Sequence, residues 1–194
     1  MRKSKAETAR TRERIIEAAA AKFRQNGIEG TGLSDLMAAA GLTHGGFYRH
    51  FQSKNELVAD AFASAVASEA RWIAGPTEQK GTALESLAAS YLSDAHKADR
   101  SGGCPFAALG SEIVRLDEET RAQATDGLLS IVDLIAPKFG KIPADAARLR
   151  ALVAFSTMVG AMTLARMMTD TGLSARLLQE AAKHVGAGIR DDGQ

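Results

Sequence analysis

The chain predicts an all-α fold of about nine helices, and three observations lead there. Apolar residues recur at three- and four-residue intervals along most of its length. No segment alternates with a period of two, so a sheet is improbable. Four prolines (Pro76, Pro105, Pro137 and Pro143), together with glycines, cut the later sequence into helix-sized pieces of roughly 53–74, 80–100, 104–115, 117–139, 144–170 and 173–189. With 194 residues and 45% hydrophobic content, a small head (1–53) and a larger body (54–194) can each bury a core.

The first helix spans about Thr8 to Gln25, with Ile15, Ile16, Ala19, Ala20 and Phe23 on one face and Asn26-Gly27 as its stop. Thr31 precedes a second apolar pattern, Leu33, Leu36, Met37 and Ala40, and is placed to cap it. Gly41 supplies a left-handed break, and Leu42 anchors the turn. Thr43 then caps a helix from about His44 to Phe51. Phe47 and Phe51 lie one turn apart as its buried stripe, while His44, Gly45, Tyr48 and Arg49 face elsewhere. One face packs and the other is free to enter a major groove, which is the arrangement of a DNA-reading helix-turn-helix. Ser53 with Glu56 three residues on matches a capping box, so a long helix starts near Lys54.

Charge divides the chain in the same place. The first 54 residues hold 10 of the 24 basic side chains and 5 of the 23 acidic ones, leaving the head basic and the body acidic. Arg2, Lys3, Lys5, Arg10, Arg12 and Arg14 crowd the N-terminus, either as an arm that neutralises phosphates or as a solvated tail. No run reads as long and apolar enough to span a membrane, and the N-terminus lacks a signal-peptide pattern, so the expected location is cytoplasmic. One cysteine excludes an internal disulfide and a zinc finger. His44, His50, His96 and His184 have no metal-ligand spacing, so neither a metal nor a cofactor is expected.

The segment from Leu149 to Met168 is apolar on most sides, more than one neighbouring face can cover. Leu152, Phe155, Val159, Gly160 and Met167 on it, with Leu178, Ala181 and Val185 of the final helix, whose stripe runs on to Ile189, are the expected contacts of a second copy. Ordinary intrachain core is the other reading. A two-fold dimer would set two recognition helices about one turn of DNA apart, or a multiple, on a near-palindromic operator.

Residues 11–62, TRERIIEAAAAKFRQNGIEGTGLSDLMAAAGLTHGGFYRHFQSKNELVADAF, resemble the TetR family of bacterial transcriptional repressors. The resemblance implies a three-helix DNA-binding head, a connecting fourth helix and an all-helical body that binds ligand and dimerises through its last two helices. Thr43-His44-Gly45 stands where many members open the recognition helix with Ser-Lys-Gly. Thr43 is then expected to bind phosphate and Gly45 to permit close approach. His44, in place of the common lysine, makes its contact pH-sensitive. The resemblance gives Tyr48, His50 and Lys54 to the DNA backbone. Thr31 is a further expected phosphate contact and Ser34 a base-edge contact, while Arg49 either reads guanine or is solvated.

Gly102-Gly103-Cys104-Pro105-Phe106 is the second chemical signal. Proline suits the first position of a helix, which puts Cys104 near the N-cap, where free amides and the helix dipole lower a thiol's pKa; Lys97 and Arg100 flank it. The opposite reading is a small buried apolar residue. The stretch GGCPFAALGSEIVRLDEETR is similar to that of TetR-family members whose cysteine is modified by electrophiles or oxidants, which makes Cys104 a candidate sensor. In the competing reading an apolar inducer binds reversibly among Phe62, Trp72, Tyr91, Phe106, Phe155, Met158 and Met162. A thiol enzyme is the remote alternative, and it would need a thioredoxin-like sheet that no strand pattern supports. The acidic run Asp117-Glu118-Glu119 reads as the charged first turn of a helix, not as catalytic carboxylates.

Overall fold

The structure is a computed structural model and describes residues 5–75 and 81–188. Arg2, Lys3, Pro76 and Ile189, to which the sequence assigns roles, lie outside the described residues. Among those described are nine α-helices, two short 3-10 helices and no strand, in agreement with the predicted all-α class.

Helix α1 (Lys5–Asn26) stops where Asn26-Gly27 predicts, with Gly27 at φ +80°. Helix α2 (Leu33–Ala39) closes through a complete Schellman motif. Gly41 at φ +71° donates to the Ala38 carbonyl at 2.9 Å, and Leu42 donates to the Met37 carbonyl at 2.8 Å. The recognition segment, His44–Arg49, is a 3-10 helix. Gly45-Gly46 disfavours a longer helix, and so short a segment tolerates the tighter winding.

Helix α3 (Lys54–Ala74) starts at the predicted residue, and Ser53 Oγ accepts from the Glu56 amide at 3.1 Å. Glu56 Oε2 reaches back to the amide of Gln52, one residue before the cap. The expected 80–100 helix is broken into α4 (Ala83–Tyr91) and α5 (Asp94–Ala98) because Ser93 caps the second piece, accepting from the His96 amide. Thr82 and Glu85 form a full capping box at the start of α4, a signal present in the sequence. Helix α6 (Pro105–Ile113) has its proline in the first turn and Cys104 as N-cap, as predicted. Helix α7 (Glu118–Ile135) is capped by Asp117 and ends in a 3-10 turn at Ala136–Phe139, which contains Pro137. Helices α8 (Ala144–Met167) and α9 (Thr171–Ala187) complete the body.

Helix α3 is the spine of the molecule. Its first turns, through Leu57 and Val58, close the head against α1, and its later turns pack along α7 with Phe62, Val66 and Ile73 buried. Helices α8 and α9 lie together, α9 also covering α4, while α6 is wedged between α1, α3 and α8.

Two expectations about α8 are corrected. By length and composition it is apolar enough to cross a membrane, although only 39% of its most apolar window is buried inside the chain. The set expected between copies is also divided. Phe155, Leu178 and Val185 belong to the core of one chain; Leu152, Val159 and Ala181 are half-buried; Gly160 and Met167 are exposed, Met167 by 70%. Helices α8 and α9 turn their larger apolar residues toward each other and toward α4, and the uncovered stripe is Leu149, Val153, Gly160, Leu164 and Met167, with Leu173 on α9.

Candidate nucleic-acid interface and body cleft

In the head, Ile15, Phe23, Leu36, Met37, Phe47 and Phe51 form one buried knot, with the rings of Phe47 and Phe51 stacked 5.5 Å apart. Locking Phe47 and Phe51 inward turns the rest of the segment out. Thr43, His44, Gly45, Tyr48 and Arg49 are all exposed, Tyr48 by 69%. Ser34 joins them, its hydroxyl 3.4 Å from His44 Nδ1. A Cβ built on Gly45 meets nothing within 4 Å, so nothing inside the chain requires glycine there.

Other expected contacts are engaged within the chain. Thr31 is buried, and its hydroxyl donates to the Gly27 carbonyl at 2.6 Å. It neither caps α2, whose N-cap is Gly32 without a side-chain bond, nor offers its hydroxyl to a phosphate. Thr43 is the N-cap of the recognition segment but makes no side-chain cap bond, which leaves its hydroxyl at the surface. Lys54 Nζ donates to the Ile28 carbonyl at 2.7 Å, and His50 is half-buried. Arg12 and Arg14 are not part of a loose arm. Arg12 bonds Glu56 and Asp60 and lies 4.7 Å over the Phe51 ring, and Arg14 donates to the Ala40 carbonyl.

A second joint ties head to body. Glu112 on α6 accepts from the amides of Ile28 (2.8 Å) and Glu29 (3.3 Å). Gly27 suits its positive φ, and a Cβ there would stand 3.0 Å from the Glu112 carboxylate and press on it.

At the other end of α6, Cys104 is fully buried. Burial pushes its thiol up to about 12, with the Glu69 carboxylate adding to the rise. Burial thus opposes the thiolate that a helix N-terminus favours. Lys97 pairs with Asp94 at 2.8 Å and is turned to α9 through Ser174.

His96, whose place in the sequence lacks metal-ligand spacing, has a structural part. It is the clip that holds this loop. Its Nε2 accepts from the Cys104 amide at 3.0 Å, so the proton sits on Nδ1, which donates to the Tyr91 carbonyl at 2.6 Å. Burial lowers its pKa, keeping the ring neutral. Gly103 makes the tight wrap possible, since a Cβ there would fall within 3 Å of the Asp99 carbonyl, Arg166 and His96. Arg166 fastens the same loop from α8, donating to the carbonyls of His96, Lys97 and Asp99.

Beside the clip lies a cleft of about 490 Å³, with Ser68, Glu69, Trp72, His96, Asp99 and Gly103 in its wall. Glu69 is only 6% exposed; burial, partly opposed by Arg24 and Arg166, lifts its carboxyl to about 7. Its Oε1 has no hydrogen-bond partner, and the Tyr91 hydroxyl lies beside the Cys104 thiol. Of the seven residues expected around an apolar inducer, only Trp72 lines this cleft. Phe62 borders a separate one of about 340 Å³ under α7. Tyr91, Phe155, Met158 and Met162 are core, and Phe106 joins them edge-on between Phe62 and Phe155. The cleft is more polar than the stripes suggest because Glu69, one helical turn before Trp72, points inward.

An exposed polar helix mounted on a buried aromatic knot, followed by an all-helical body, defines a helix-turn-helix regulator. The sequence comparisons agree. Residues 15–61 match the family described as bacterial regulatory proteins, tetR family, and residues 81–184 match the C-terminal domain of LmrA/YxaF-like transcriptional regulators. The chain belongs to the TetR family of DNA-binding transcriptional regulators. It is 30% identical over 169 residues to an uncharacterized HTH-type transcriptional regulator of Mycobacterium tuberculosis, a match covering 82% of this chain and 86% of that one. It is 45% identical over 58 residues to the regulator TtgR of Pseudomonas putida, a match covering 30% of this chain and 28% of TtgR. A TetR regulator from Chloroflexus aurantiacus superposes with a TM-score of 0.75 at 28% identity, covering 96% and 97% of the two chains. The reduced form of Escherichia coli NemR has the same fold, with a TM-score of 0.72 at 21% identity over 91% and 95%.

Proposed function

We propose that this protein is a cytoplasmic homodimeric repressor that leaves a near-palindromic operator when a small molecule enters the body. Residues 1–53 act as the reading head and residues 54–194 as the sensing and pairing unit. Thr43, His44, Gly45, Tyr48 and Arg49 meet the DNA, with Ser34 beside His44. His50 and Lys54 act as backbone contacts only if they give up part of their present packing. The observation that carries this reading is Gly45, exposed at the start of the recognition segment with open space where a side chain would sit. A glycine with no internal reason for its place suits a backbone that must come close to a partner.

The signal travels along α6. The loop leading into it borders the cleft through Gly102 and Gly103, and its C-terminal turn carries Glu112, which holds the head's turn at Ile28 and Glu29. A ligand that shifts one end of this nine-residue rod moves the grip at the other. The pairing surface is the stripe from Leu149 to Met167 with Leu173, which sets the spacing of two heads.

The burial of Cys104 favours reversible ligand binding over thiol modification as the trigger. For Cys104 to sense an electrophile, the His96 clip must first open. Thiol-enzyme chemistry finds no support, because the described residues contain no sheet. Selection of bound duplexes from a random pool tests the whole reading. The expected product is a near-palindrome whose binding weakens steeply with salt; enrichment of no sequence, with salt-insensitive binding, would sink it.

A further inference from the structure

The Glu69 cleft has a chemistry that the proposed function leaves open. Its acidic groups are Glu69 and Asp99, and no lysine or arginine side chain lines it. The one basic ring, His96, is held neutral by the two bonds that occupy its nitrogens. Arg24 and Arg166 act on Glu69 through space, yet neither lines this cleft: both line a different pocket, and Arg166 is spent on three backbone carbonyls. Glu69 Oε1, in a side chain more than nine-tenths buried, has no partner. A buried carboxylate oxygen left without a donor is a standing penalty, and native proteins rarely keep one without use. Trp72, the only tryptophan in the chain and 45% exposed, forms the wall one helical turn away.

We propose that this cleft binds a small organic cation, a protonated amine or amidine on a flat apolar body, with Glu69 as its counter-charge and Trp72 as its stacking face. This rests on the reading of the body as a ligand-sensing unit and gives that unit its ligand class. The ammonium or amidinium donates to the Glu69 carboxylate, the hydroxyls of Ser68 and Ser93 serve the rim, and the Trp72 ring takes the cation's face. The volume is in the range of sites for small ligands. Because Gly103 and the His96 clip form part of the wall, an occupant presses directly on the loop that starts α6.

Three probes of nearly the same shape and different charge test this: benzamidine (cationic), benzamide (neutral) and benzoate (anionic). Trp72 fluorescence reports occupancy of the full-length protein, with thermal melting as a second readout. Benzamidine is expected to quench saturably at millimolar concentration or below, benzamide at least about tenfold more weakly, and benzoate not at all. Glu69→Gln is expected to remove the preference for the cation; Asp99→Asn, at the exposed rim, should reduce it less. The proposal is overturned if benzamidine shows no saturable quenching, if benzamide or benzoate binds as tightly, or if the preference survives in a folded Glu69→Gln protein. Operator binding on the same samples separates this claim from the regulatory one. Cation binding that leaves operator affinity unchanged upholds the site and sinks ligand-controlled release. Release by a neutral or anionic compound upholds control and overturns the cation site.

Discussion

Replacing Glu69 by glutamine should change how stability depends on pH, and the size follows from where the residue sits. Burial lifts its carboxyl from an ordinary 4.5 to about 7 in the folded protein. Between those values the folded state keeps a proton that the unfolded chain has lost, so stability falls as pH rises. Below about pH 4.5 both states hold the proton and the penalty vanishes. Above about pH 7 it is complete, at about 1.4 kcal/mol per pH unit of separation, or about 3 kcal/mol in all. Glutamine keeps the shape without the charge. Urea denaturation of both proteins at fixed concentration, from pH 5 to 8, should show the variant gaining on wild type by about 2.5 kcal/mol across the range. In melting temperature that is on the order of 6–12 °C at pH 8. His96 and every other titrating group are common to both proteins and cancel in the difference. A stability gap that does not vary with pH would refute the reasoning, because the carboxyl would then titrate as if solvated.

Four further outcomes are expected. Gly45→Ala, at a position whose φ is not positive and whose Cβ has open space, should leave unfolding within about 0.5 kcal/mol yet weaken operator binding at least about tenfold; fluorescence anisotropy at constant salt decides it. Glu112→Ala frees two amides of the head's turn and should destabilise the protein by about 1–2 kcal/mol, with operator affinity no longer responding to an inducer; a retained response would remove α6 from the pathway. Cys104 should react with a thiol reagent at pH 8 far more slowly in the native protein than in urea, since its thiol lies near 12, and Cys104→Ser should still release operator on ligand addition. Val153→Arg with Leu164→Glu on the uncovered stripe should yield monomers with weakened operator binding in sedimentation velocity; an unchanged dimer would place the interface elsewhere.

Signals that act within one or two turns were readable in the sequence. Asn26-Gly27 stops α1, Ser53 starts α3, Gly41-Leu42 closes α2, and Pro105 opens α6 with Cys104 as its cap. The outward set from Thr43 to Arg49 follows from the spacing of Phe47 and Phe51 alone. What failed depended on partners far along the chain. Arg12 is drawn out of the expected arm by Glu56 and Asp60, more than forty residues away. Cys104 has the helix-end position that lowers a thiol's pKa, but Glu69 on α3 and Tyr91 on α4 enclose it, and no local pattern announces that enclosure. The same holds for α8: its excess of apolar surface was visible, but which side faced α9 was not. His96 was overlooked because its role is to bond two backbone groups, and backbone partners leave no trace in composition.

The turn at Ile28 is gripped on both sides of a single residue: Lys54 holds its carbonyl and Glu112 its amide. Both grips are on main chain, so they are indifferent to which side chain occupies position 28. A head with a different reading surface could be grafted onto this body and would meet both grips if its turn follows the same backbone path and its first helix keeps Arg12 for Glu56 and Asp60. At this turn the joint is thus a generic socket, and the outward face of the head can change without disturbing these two bonds.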